Sequence, residues 1–116
     1  MQYMLLIYDV EDSGPNPGTA EFDEMIQAYG AFGQEVEKAG VFIGGEALLP
    51  TSTATSVRVR NGTATTTDGP FAETKEALGG YYILDCKDLD EALAYAAKIP
   101  GASSGTVEVR PVMVFD

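Results

Sequence analysis

The segment Tyr3-Met4-Leu5-Leu6-Ile7-Tyr8 has no polar side. Tyr81-Tyr82-Ile83-Leu84 has none either. In a strand, successive side chains point to opposite faces, and a half-solvated antiparallel sheet should read apolar on one face and polar on the other. These strands therefore call for cover on both faces. The rest of the chain offers two helices, and two helices on one side of a sheet leave the other side bare.

The helices follow from spacing. Phe22, Met25, Ile26, Tyr29, Phe32 and Val36 recur at intervals of three and four, which makes an amphipathic helix. Thr19 is placed as its N-cap, with Glu21, Asp23 and Glu24 near the positive end of the dipole. Gly40 closes it. Gly30 and Gly33 lie inside this helix, where each costs roughly 1 kcal/mol relative to alanine; close contact with the sheet is the expected reason for them. A second, shorter helix starts at Asp88, with Glu91 completing a capping box, and ends before Pro100-Gly101.

Strands are expected over residues 2–9, 41–49, 80–86 and 105–115, with Pro111 marking an edge or a bulge. Val57 to Arg60 and Thr63 to Thr67 flank Asn61-Gly62, a strong hairpin signal. Without that hairpin the order is β-α-β-β-α-β, the ferredoxin-like pattern. Right-handed crossovers place both helices on one face of the sheet. The expected fold is thus an α+β ferredoxin-like sandwich with an inserted hairpin, forming one domain over residues 1–116. A second copy of the sheet is the economical cover for the bare face, so a homodimer packed sheet to sheet is expected. The alternative is that the hairpin folds back over that face.

The 116 residues carry 7 basic and 18 acidic side chains, a net charge of −11. Such a surface repels phosphate backbones and anionic lipids, so neither nucleic acid nor membrane is an expected partner. No run approaches a membrane span, and Met4 to Tyr8 is too short for a signal peptide and lacks a basic region before it. With one cysteine, Cys86, the cytoplasm is the expected location.

Histidine is absent. That removes the commonest general base and the commonest metal ligand together. Neither a metal nor a cofactor is expected, since Cys/His metal spacing, Gly-rich phosphate loops and Ser-centred elbows are all missing. Cys86 sits near Asp85 and Asp88, which raise a thiol pKa rather than lower it.

Chemistry is left to carboxylates, lysine and tyrosine. Glu46 follows Gly44-Gly45 within an apolar strand, where partial burial could make it a general acid or base. Equally, it could be a structural ion pair with Arg58, Arg60 or Arg110. The paired glycines allow close approach of a ligand or another backbone. Arg110 interrupts the last apolar strand, and its planar fork suits a carboxylate. Tyr8, Tyr81 and Tyr82 could line a pocket or simply fill the core. The densest stretch is Asp68-Gly69-Pro70-Phe71-Ala72-Glu73-Thr74-Lys75-Glu76. It combines turn chemistry with four ionisable side chains. Lys75 beside the carboxylates could hold an anion or a salt-bridge network.

That nine-residue run, with Tyr3 to Tyr8, Gly45 to Leu48, Thr55 to Arg60, Gly79 to Tyr82 and Val107 to Pro111, resembles the YCII-related family in its DGPF branch. The resemblance covers nearly the whole chain. It implies a dimeric ferredoxin-like fold with a cleft near the dimer contact, and a regulatory context beside extracytoplasmic-function sigma factors. More distant relatives resemble small enzymes with a His–Asp pair; Asp68 is the candidate for their aspartate, and the histidine has no counterpart. The candidate site is accordingly Glu46 and Asp68 as acid/base groups, with Phe71, Lys75, Glu76, Tyr82 and Arg110 around a small-molecule ligand. Two functions compete: a binding or regulatory module, and a small enzyme acting on an anionic or phenolic metabolite.

Overall fold

The computed structural model describes residues 1–115. Strands β1 (Gln2–Asp9), β2 (Phe42–Ala47), β5 (Ala77–Asp85) and β6 (Thr106–Pro111) form one sheet in the order β2-β5-β1-β6. Every neighbouring pair in it is antiparallel. Helices α1 (Ala20–Lys38) and α2 (Leu89–Lys98) complete an α+β architecture consistent with the ferredoxin-like fold.

Local chemistry sets the helix ends. Thr19 caps α1 by accepting a hydrogen bond from the Phe22 amide at 3.3 Å. Asp88 caps α2 through the Glu91 amide at 2.9 Å, while the Glu91 carboxylate accepts from the Lys87 amide at 3.2 Å. Caps of this kind contribute about 1 kcal/mol each.

The core lies on one face of the sheet. Tyr3 and Leu5 of β1 and Leu84 of β5 meet Phe32 and Val36 of α1 and Ala92 and Ala96 of α2. Phe32 stands edge-on to Tyr82, with ring centroids 5.0 Å apart. Leu5 and Leu84 are fully buried, and each contributes about 1.5–3 kcal/mol by leaving water. Cys86 is buried in the same core.

The other face of the sheet has no cover from the described residues of its own chain. Register places Glu46, Tyr81, Leu6 and Glu108 in one row across it, and Ile83, Met4 and Arg110 in the next. The hairpin does not fold over this face. Strands β3 (Thr55–Arg60) and β4 (Thr63–Asp68) pair only with each other, and nearly all of their residues are exposed. Asn61 and Gly62 turn the hairpin with φ of 53° and 76°. Two successive positive φ values match the type I′ turn that this dipeptide favours. The result is an arm standing off the body. The radius of gyration is 16.2 Å, against about 13 Å for a compact chain of this length.

Three boundaries differ from expectation. β5 begins at Ala77 rather than residue 80, so Gly79 joins Gly80 in the strand, with a register irregularity opposite Ile7 and Tyr8. β2 ends at Ala47 rather than residue 49. β6 ends at Pro111 rather than residue 115, and it is an edge strand, where proline is tolerated.

Gly30 and Gly33 are also unlike expectation. A Cβ built on either meets nothing within 4 Å, so neither glycine is there for contact with the sheet. Gly30→Ala is therefore expected to stabilise the protein by up to about 1 kcal/mol through helix propensity alone. Urea unfolding of the two proteins checks this; a lower midpoint for the variant would show a contact at that position.

Candidate functional site

Helix α1 seats Phe32 and Val36 in the core, and Tyr29 packs against it, half-buried. Met25, Ile26, Tyr29 and Gly33 of the same helix line a cleft of about 710 Å³. Its floor is the end of the sheet formed by Ile7, Phe42, Gly45, Gly80 and Tyr82, and its rim is formed by residues 9–12 and 46–51.

Glycine makes the floor. A Cβ on Gly45 would lie 2.7 Å from the Tyr81 carbonyl oxygen and 3.0 Å from the Tyr82 ring. One on Gly80 would lie 2.9 Å from the Glu46 carbonyl oxygen. The paired glycines thus admit another backbone: β2 and β5 approach closely, and no side chain rises from Gly80 to fill the space above. The rim is tied down by Glu11, whose carboxylate accepts from the Thr51 amide at 3.1 Å and from the Thr51 hydroxyl. Asp9 accepts from the Val10 amide at 2.8 Å and the Ser104 hydroxyl at 2.6 Å.

Two phenols mark the cleft. Burial pushes the Tyr29 phenol above 10.0, with the Gly101 backbone pulling the other way and Asp9 adding to the rise. Burial also pushes Tyr82 up, with Tyr29 adding to it. Both hold their protons through neutrality and act there as neutral hydrogen-bonding groups. The Cys86 thiol is likewise pushed up, first by burial and then by Glu91 and Asp85, as its acidic neighbours lead one to expect.

Of the residues singled out from sequence, Tyr82 lies on the face of the sheet that floors the cleft, and Glu46 borders the cleft along β2 with its side chain turned to the uncovered face. Glu46 is exposed rather than half-buried, and among the described residues it has no ion-pair partner. Arg110 is exposed on β6, at the opposite edge of the sheet from β2. Three strand spacings, about 14 Å, separate those strands, so the Glu46–Arg110 pair does not form within one chain. Asp68 ends β4, exposed and opposite Thr55. Phe71 is 80% exposed, Lys75 is exposed, and Glu76 is half-buried just before β5. The run Asp68–Glu76 therefore lies at the root of the arm, outside the cleft lining. Its turn is held by the Gly69 amide donating to Ala54 O at 2.7 Å and by Ser56 Oγ donating to Gly69 O at 2.8 Å.

Sequence reasoning missed the cleft role of Tyr29, Met25, Ile26 and Gly33. Tyr29 and its neighbours read as the core stripe of an amphipathic helix. The one available signal was the pair of glycines at 30 and 33 on that helix. Among the described residues no group of three or more His, Cys, Asp or Glu side chains is arranged to hold a metal ion. Among the described residues no helix is long and apolar enough to cross a membrane.

Comparison with known proteins agrees with this architecture. An uncharacterized protein of Rhizobium meliloti (strain 1021) is 36% identical over 117 residues, covering 99% of this chain and 94% of that protein. A similar solved structure is 5-chloro-2-hydroxyhydroquinone dehydrochlorinase from Burkholderia phenoliruptrix AC1100, in complex with 2,5-dihydroxybenzoquinone. It superposes with a TM-score of 0.53 at 14% identity, covering 97% of this chain and 94% of that one. At that identity the likeness speaks for the fold alone. The family model of the YCII-related domain matches residues 1–116, and the chain belongs to the YCII-related domain family.

Proposed function

We propose that this protein is a homodimeric module that binds a small molecule in the cleft between α1 and the sheet. The cleft carries the reading: its volume of about 710 Å³ lies in the range of about 300–1,000 Å³ typical of ligand sites. Its lining is mostly apolar, with two protonated phenols to orient a ligand.

The dimer rests on the uncovered surfaces. Met4, Leu6, Tyr8, Tyr81 and Ile83 remain half-buried on a face that no helix covers. A two-stranded hairpin alone is marginal in water, yet Val57 and Val59 on the arm are 62% and 58% exposed. Charge fits a second copy as well. Arg58 and Arg60 against Asp68 leave the arm at +1, so the rest of the chain carries −12. On this reading the arm packs on the partner, and Phe71, Lys75 and Arg110 act at the contact between copies.

The run Asp68–Glu76 supports placement in the DGPF branch. With it comes the proposal of a cytoplasmic protein working in the context of an extracytoplasmic-function sigma factor.

A second reading is a small enzyme using Glu46 as acid/base, with Asp68 brought in from the arm. Its support is the fold likeness to a dehydrochlorinase whose structure holds a quinone. A thermal-shift screen of phenols, quinones and amines separates the two. Ligands that raise the Tm and are recovered unchanged support the binding module. Conversion that is lost in Glu46→Gln supports the enzyme. A flat screen contradicts both.

A further inference from the structure

We propose that the cleft selects a small organic cation carrying an apolar ring, such as an arylalkylamine; this rests on the reading of the cleft as a small-molecule site. Four acidic residues line it, Asp9, Glu11, Asp12 and Glu37, and none of the chain's lysines or arginines does; Glu46 turns its side chain to the other face of the sheet. Two of the four are engaged locally, Asp9 with Ser104 and Glu11 with Thr51. Asp12 and Glu37 have no cationic partner among the described residues.

The consequence follows from where the charge sits. Carboxylates at the rim of an apolar cleft act across low-dielectric walls, which focus the field on its interior. An anionic ligand would lose its hydration there and meet like charge. A cation would keep a counter-ion and gain the faces of Tyr29, Phe42 and Tyr82, to which a cationic group is attracted. The apolar floor at Ile7, Met25 and Phe42 suits the ring. This ligand class departs from the anionic metabolite that the sequence suggested, because Lys75 and Arg110, the groups invoked for an anion, lie outside the cleft.

Calorimetric titration of the intact protein with naphthylmethylamine, naphthylmethanol and naphthoate, which share one ring system, tests the charge preference. The amine is expected to bind about ten-fold more tightly than the alcohol, and the acid most weakly. Raising the salt concentration should erode the difference, and Glu37→Gln with Asp12→Asn should reduce it several-fold. Gly33→Leu, which narrows the cleft, should weaken binding of the amine at least about ten-fold and so separate the cleft from the acidic surface at large. If the alcohol or the acid binds as well as the amine, the charge inference falls while the cleft stands as a site. Amine binding undiminished by Gly33→Leu also overturns it. If none of the three binds, this inference fails; if the broader screen is flat too, the proposed function fails with it.

Discussion

Leu6→Glu is expected to convert the protein to a monomer. Leu6 sits on the uncovered face of the sheet, in one row with Glu46, Tyr81 and Glu108. It is not among the residues that meet the helices, so the fold should survive the change. In a sheet-to-sheet dimer the leucine would be removed from water, contributing about 1.5–3 kcal/mol. A glutamate there would instead bury a carboxylate beside Glu108, a like charge on the neighbouring strand. The dimer dissociation constant should rise at least about 100-fold, which is about 2.7 kcal/mol. Light scattering should report twice 12.3 kDa for the parent and 12.3 kDa for the variant, with unchanged far-ultraviolet circular dichroism. A variant that stays dimeric would move the contact away from this face, leaving the arm and its exposed valines as the alternative.

Gly33→Leu is expected to cost the protein its ligand while leaving it folded. Nothing lies within 4 Å of a Cβ at this position, and Gly33 borders the cleft. The leucine side chain enters empty space instead of a neighbour. Helix propensity favours it by about 0.8–1 kcal/mol over glycine, so the Tm should hold or rise. Affinity for any cleft ligand should fall at least about ten-fold, because the added side chain occupies volume the ligand needs. A stable variant with undiminished affinity would place the ligand elsewhere.

Features set by neighbours in sequence were legible in the chain. Asn61-Gly62 turns the hairpin because two adjacent residues tolerate positive φ. Thr19 and Asp88 cap helices because the amides they accept from lie three residues on. Apolar periodicity assigned Phe32 and Val36 to an amphipathic helix, and alternation showed that the strands carry apolar residues on both faces, so that one face needs cover.

Features set by which strands become neighbours were not legible. Glu46 and Arg110 look like partners because each interrupts an apolar strand. The order β2-β5-β1-β6 puts them at opposite edges. Alternation tells which face a residue occupies, not which strand lies beside it. The cleft was hidden for a related reason. It is a place where side chains are missing, at Gly33, Gly45 and Gly80, and one wall is the stretch of α1 from Met25 to Gly33. Periodicity gave Tyr29 and Met25 the same weight as Phe32. The run Asp68–Glu76 marked the family, yet its position at the root of the arm follows from the hairpin leaving the body, which no local signal carries.

The most direct test of the cleft as the binding site is a nitrogen–proton correlation spectrum of the protein titrated with a ligand that raises its Tm. The cleft predicts that the amide shifts concentrate at Met25, Tyr29, Gly33, Gly45, Gly80 and Tyr82, and that Gly33→Leu diminishes them. Shifts confined to the arm, or to the run from Asp68 to Glu76, with the cleft amides unmoved, would contradict it.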